Sequence, residues 1–213
     1  INALAKHGVD ACFANPGTSE MQLVAALDKQ PGIRAVLCLF EGVVTGAADG
    51  YGRMADKPAL NLLHLGPGFA NGMANLHNAH RAGSPILNMV GDHAMDHLQH
   101  DAPLTSDIKG MATPVSRSFR VSDCAAGLTQ TGLDALADSL SHNGTISTFV
   151  VPADHAWTDT DELPSAMPET PLAKITDTTI SEIAAQLQSA SSSCLFMGGR
   201  TLREDALHQA GRI

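Results

Sequence analysis

Short apolar runs that alternate with helical patterns constrain this chain more than any other feature. The runs cover residues 11–14, 35–40, 59–64, 85–90, 119–122 and 148–151, bounded by Gly, Pro or Asn. Helical patterns fill most of the gaps, at 20–28, 41–55, 70–81 and 124–142. A strand followed by a helix and another strand can return in the same direction. The pattern therefore predicts βαβ units in an α/β fold, a doubly wound and mostly parallel sheet with helices on both faces.

Composition agrees with that packing. The chain has 213 residues, 44% apolar but only 4% aromatic, with 19 glycines. Small side chains let helices lie close on a sheet. The formal charge is −9, with no basic stripe, which argues against nucleic acid as a partner. No apolar run is long enough to cross a bilayer, so no membrane partner is expected. Cys12, Cys38, Cys124 and Cys194 form no C-x-x-C pair, and the expectation is reduced core thiols in a cytoplasmic protein.

The first residues, "INALAKHGVD", read as a helix already under way, and "LHQAGRI" stops within another. The expectation is a segment of a longer polypeptide. Residues 1–155 read as one domain. The acidic, proline-bearing stretch within 156–170 reads as a linker, and 171–213 as the incomplete start of a second α/β domain. There "TISEIAAQLQSA" predicts an amphipathic helix, "CLFMGGR" a buried strand and "LREDALHQAGR" a further helix.

Several stretches carry chemistry. "NPGTSE" offers Thr18 or Ser19 as a helix cap before Glu20, and "SDCAAGL" offers Ser122 or Asp123. "HLGPGFANG" places Gly66, Gly68 and Gly72 between a strand and a helix, where backbone can approach a ligand. It comes near a dinucleotide fingerprint, with Asp92 about 20 residues on, but Asn71 stands where Gly or Ala is required. Glu41 ends an apolar run. It reads either as a helix first-turn acid or as a partly desolvated carboxylate poised to exchange a proton. His93, His97 and His100 with Asp92, Asp96 and Asp101 have helical spacing, yet read as a solvated polar loop within 92–117, and no metal ligands are assigned. There is no nucleophile elbow and no Walker A pattern.

Taken together, "FANPGTSE" (13–20), "FEGVVTGAADGYGRMADKPA" (40–59), "HLGPGFANGMANLHNA" (64–79) and "SPILNMVGD" (84–92) resemble the N-terminal pyrimidine-binding domain of thiamine-diphosphate enzymes. The acetolactate synthase and 2-oxoacid decarboxylase group, including benzoylformate decarboxylase-like enzymes, is most similar. The resemblance covers roughly residues 1 to 155. It implies that Glu41 shares a proton with a pyrimidine nitrogen, so that the exocyclic amine can deprotonate the thiazolium carbon. The apolar neighbours Leu39, Phe40, Val43 and Val44 are expected to keep that carboxylate dry. It implies that Gly66, Pro67 and Gly68 face the aminopyrimidine, with Asn71 at the next helix start, and that Asn15, Pro16 and Gly17 border the pocket.

His64 matches the decarboxylase histidine, 64 − 41 = 23 residues after the glutamate, while "GPG" matches the synthases. It reads either as a proton-transfer group or as a structural histidine. Asp92 stands where the family usually has glutamine. The diphosphate and Mg²⁺ motif is absent, so both are expected on another domain, with FAD possible in the central one. The implied partners are a 2-oxo acid and further subunits, in a homodimer or homotetramer whose active site lies between subunits. Three functions follow: an acetolactate synthase-like enzyme, a 2-oxoacid decarboxylase such as an aryl-2-oxoacid decarboxylase, or a non-enzymatic dinucleotide-binding or regulatory module. The segment alone is expected to be inactive.

Overall fold

The computed structural model describes residues 1–161, 165–169 and 174–213. The linker expected over 156–170 and the domain start expected at 171 lie partly outside the described residues, at 162–164 and 170–173. Two compact units divide the chain, Ile1–Thr170 and Pro171–Ile213.

In the first unit, α1 (Asn2–Lys6) leads into β1 (Ala11–Asn15), a 3₁₀ turn at Thr18–Glu20 and α2 (Met21–Asp28). Next come β2 (Arg34–Leu37), α3 (Glu41–Ala55), β3 (Ala59–His64) and α4 (Leu65–Ala82). The chain continues through β4 (Ile86–Asp92), α5 (Ile108–Ala112), β5 (Ser118–Val121), α6 (Leu128–Leu140), β6 (Ile146–Pro152) and α7 (Ala153–Trp157). The six strands pair in parallel in the order β2-β1-β3-β4-β6-β5. This is the doubly wound α/β sheet that the alternation predicts. Leu60, Leu62, Leu87 and Met89 face α1, α2 and α6 on one side, where Leu4, Leu23 and Leu136 meet them. Leu63, Ile86, Val90 and Ile146 face α3, α4 and α5, where Val44, Phe69 and Ile108 pack.

Central strands buried on both faces read as nearly continuous apolar runs, and β3, β4 and β6 do. Three of their polar side chains link across the sheet. The Asn61 amide donates to Asn88 at 2.9 Å, and the Asn88 amide donates to Thr148 at 3.1 Å, one rung across three strands. The edge strand β2 stops at Leu37 instead of Phe40, because one neighbour covers it; Leu37 is 72% and Leu39 92% exposed.

Local chemistry also moves helix boundaries. α4 begins at Leu65, five residues before the periodicity indicates, since Pro67 lies in the first turn where no N–H is needed. Leu65 enters with φ +49° although it is buried, a left-handed conformation unfavourable for a branched side chain and held by the surrounding core. α6 starts at Leu128, not 124, because neither Ser122 nor Asp123 caps it; the Ser122 hydroxyl donates to the Cys124 carbonyl and ties a turn. Within the long loop, Asp107 caps α5 by accepting from Gly110 N at 2.8 Å, and Ile108 and Ala112 anchor it. All four cysteines are free; Cys12 and Cys38 are buried as expected, whereas Cys124 and Cys194 are exposed. Burial pushes the Cys12 thiol up to about 12.

The second unit contains α8 (Asp177–Ser189), capped by Thr176, and α9 (Glu204–Ala210). The strand expected at "CLFMGGR" does not form. No described strand pairs with it, and Phe196 is fully exposed.

Candidate active site

Parallel strands deliver all their C-terminal ends to one edge of the sheet. The chain steps outward from β1 to β2, then returns to the other side of β1 for β3. Loops on either side of such a reversal diverge and leave a crevice. Asn15 ends β1 beside Leu63 of β3, so the crevice opens between the 15–17 loop and the 64–68 turn.

Glu41 reaches this edge as the first residue of α3, where the helix dipole favours a carboxylate. Its Oε2 accepts from the Asn71 amide at 3.0 Å. Its Oε1 lies close to Gly68, where an added Cβ would approach to 3.3 Å. α3 and α4 meet tightly enough for this contact because Gly72 faces Thr45, whose hydroxyl donates to the Gly72 carbonyl at 3.0 Å. Gly72 thus serves helix packing, not the ligand approach expected of it; a Cβ there would lie 2.7 Å from the Thr45 methyl.

The dry collar expected around Glu41 is not closed by this chain. Val44 is buried, but Leu39 is 92%, Val43 56% and Phe40 50% exposed. Glu41 as a whole is half-buried. An apolar rim therefore surrounds it with its outer side in solvent.

Gly66 and Gly68 are buried in the first turn of α4, and Pro67 is exposed. Gly66 lies under Ser106, whose Oγ would be 2.2 Å from an added Cβ, so the long loop after β4 sits on this turn. Gly68, two residues on, is the glycine that adjoins Glu41.

His64 ends β3 and turns to the opposite layer from Glu41. Gly17 abuts its ring, with a hypothetical Cβ only 2.4 Å from Nδ1. Its Nδ1 pairs with Glu20 Oε2 at 2.8 Å. Glu20 is wholly buried, and the same oxygen accepts from Gly17 N at 2.7 Å. Its other oxygen has no hydrogen-bond partner and rests where a Cβ on Gly91 would be. Sequence reading assigns Glu20 merely to a helix start. A glutamate three residues after Gly17 fits a capping pattern, but its pairing with a residue 44 positions away has no one-dimensional signal.

Asn15 and Pro16 are half-buried at the crevice. Asp92 follows Gly91; burial pushes its carboxyl above the usual value, partly offset by the hydrogen bond it accepts from His93 N. The His93, His97 and His100 rings lie against one another at 5.4 and 5.5 Å. Among the described residues, no three His, Cys, Asp or Glu side chains gather as a metal set. No helix among them is long and apolar enough to cross a membrane. A cavity of about 660 Å³ beside Lys6, His7, Lys29 and Thr129 contains none of the residues above.

Comparison with known proteins matches residues 1–111 to the family model described as thiamine pyrophosphate enzyme, N-terminal TPP binding domain. A Mycobacterium tuberculosis protein provisionally named acetolactate synthase large subunit IlvX is 47% identical over the whole chain, which spans 41% of that protein. Benzoylformate decarboxylase of Pseudomonas aeruginosa is 34% identical over 48% of the chain and 19% of its own length. A solved Rhodococcus jostii thiamine diphosphate-dependent 4-hydroxybenzoylformate decarboxylase superposes with TM-score 0.81 at 24% identity, over 89% of this chain and 36% of that one. The last likeness concerns the fold.

Proposed function

Because the chain belongs to the thiamine pyrophosphate enzyme family through its N-terminal cofactor-binding domain, we propose that it forms the pyrimidine-facing half of a thiamine diphosphate site acting on 2-oxo acids. The reaction favoured is acetolactate synthase-like, decarboxylation of pyruvate or a similar acid followed by carboligation. Similarity along the whole chain to the M. tuberculosis protein supports it.

The observation that carries the proposal is the Glu41 carboxylate at the mouth of a strand-reversal crevice. Asn71 holds Oε2, and Gly68 leaves room beside Oε1. A flat heterocycle fits here, because Gly68 presents main chain where any Cβ would crowd the carboxylate. When bound, thiamine diphosphate supplies a carbon nucleophile and an electron sink for decarboxylation. Glu41 shares a proton with a ring nitrogen through Oε1, while Asn71 fixes the plane of its carboxylate. Asn15, Pro16 and Gly17 form one wall of the pocket, and Gly66, Pro67 and Gly68 form the other. In this reading Mg²⁺ and the diphosphate belong to a domain outside this chain. The central domain beginning near 171 is where FAD would sit.

The apolar rim supports an assembly. Leu39, Phe40 and Val43 lie exposed beside Glu41, as expected if a second subunit closes a site between copies in a cytoplasmic homodimer or homotetramer. A second reading, a 2-oxoacid decarboxylase, is favoured by His64 and its buried acid partner. A regulatory dinucleotide module would need neither Glu41 nor the Glu20–His64 pair.

The test uses a polypeptide carrying this segment with its diphosphate-binding part. Glu41→Gln should bind thiamine diphosphate but slow exchange of the thiazolium C2 proton by about two orders of magnitude or more, the range typical of a lost proton-transfer group. Unchanged exchange would remove Glu41 from the mechanism. Pyruvate turned over to acetolactate supports the first reading, and to acetaldehyde the second.

A further inference from the structure

Glu20 is the one fully buried carboxylate in the crevice, and the family reading gives it no task. Burying an ionisable group without need is unfavourable, so its partners define its use. Oε2 is held by the Gly17 amide at 2.7 Å and faces His64 Nδ1 at 2.8 Å. Two glycines make the space: a Cβ at 17 would strike the imidazole, and a Cβ at 91 would strike Glu20 Oε1. No described residue hydrogen-bonds His64 Nε2, and the ring is 24% exposed.

We infer that Glu20 is a positioning residue that keeps a proton on His64 Nδ1, leaving Nε2 as the atom that gains and loses protons toward the crevice. A carboxylate can accept but not donate. In this proposal Glu20 is ionised, so the ring nitrogen facing it carries hydrogen and the opposite nitrogen is left to exchange. The Gly17 amide stops Glu20 from rotating away, and burial stops water from replacing His64. Acid–base work at the crevice is thereby divided between two separately supported groups. Glu41 lies on the α3–α4 side, and His64, aimed from below by Glu20, lies on the α2 side. The inference deepens the proposed function, in which His64 moves protons, but the ring's tautomer can be measured without any cofactor.

The experiment is a long-range ¹H–¹⁵N imidazole spectrum of the ¹⁵N-labelled 213-residue chain at neutral pH, with His64 signals assigned by their loss in His64→Gln. Nδ1 should show a protonated-type shift. A pyridine-type Nδ1 overturns the inference, even if the chain later proves to be a thiamine enzyme. Glu20→Leu and Glu20→Met remove the acceptor. Each should shift the tautomer ratio by about tenfold or more, as loss of a hydrogen bond to a charged group predicts. Glu20→Gln should restore the wild-type ratio, because its carbonyl can occupy the Oε2 position. An unchanged ratio in a folded Leu or Met variant refutes the role. If both variants unfold, the wild-type spectrum and the Gln rescue decide. A thiamine-independent enzyme with the expected tautomer would refute the family-based function and leave this inference standing.

Discussion

Gly91→Ala tests the packing around Glu20 most sharply. The new Cβ would fall 1.8 Å from Glu20 Oε1, 2.5 Å from Cδ and 2.7 Å from Cγ, so the side chain cannot stay. Overpacking a tight interior costs about 1–3 kcal/mol. Displacing Glu20 also breaks its hydrogen bonds to Gly17 N and His64, each to a charged group and worth about 1.5 kcal/mol or more. The sum is about 4 kcal/mol or more, a large part of a typical 5–15 kcal/mol stability. Urea unfolding followed by circular dichroism should show a lower midpoint with an unchanged m-value. Adding Glu20→Ala removes the obstructing group. The double variant should therefore be about 1–3 kcal/mol more stable than the two single effects predict, a coupling within the range for residues in contact. A neutral Gly91→Ala, or simple additivity in the double variant, would refute a rigid, buried Glu20.

Two other perturbations separate fold from site. Gly68→Ala puts a methyl 3.3 Å from Glu41 Oε1 and 3.4 Å from His64 Cβ, ordinary to tight distances. It should change stability by less than about 1 kcal/mol yet weaken thiamine diphosphate binding at least about tenfold, read by calorimetric titration of the cofactor-competent protein. Asp92 has its carboxyl raised by burial, so the folded state holds that proton more tightly than the unfolded chain. Stability from it is present at acid pH and lost as pH rises from the ordinary value of 3.8 through the folded one. Asp92→Asn should accordingly raise Tm relative to wild type at pH 7 but not at pH 3, in a pH series of thermal melts.

The layered sheet was legible because strand and helix periods differ, and the central strands are apolar enough to exclude other placements. Glu41 was legible for a similar local reason: a carboxylate closing an apolar run is conspicuous. What sequence could not supply was anything decided by tertiary contact. Gly72 has the look of a ligand glycine, and only the facing Thr45 shows that it brings two helices together. Leu39 and Phe40 read as the end of a strand and as a dry collar for Glu41, yet they follow the edge strand exposed. Glu20 sits in a capping pattern that fully explains it locally, and its second partner comes from a strand 44 residues away. "CLFMGGR" failed because a strand is a property of pairing, not of composition.

The Asn61–Asn88–Thr148 rung has an effect at a distance from itself. Slipping β3 by one residue against β4 would turn the Asn61 amide toward the wrong layer, away from its acceptor on Asn88. It would also advance the end of β3 by about 3.3 Å, farther than a hydrogen bond can stretch. His64 would overshoot Glu20, and Gly68 would leave Glu41. A polar inlay in the middle of the sheet thus calibrates the height at which the loops above it come together.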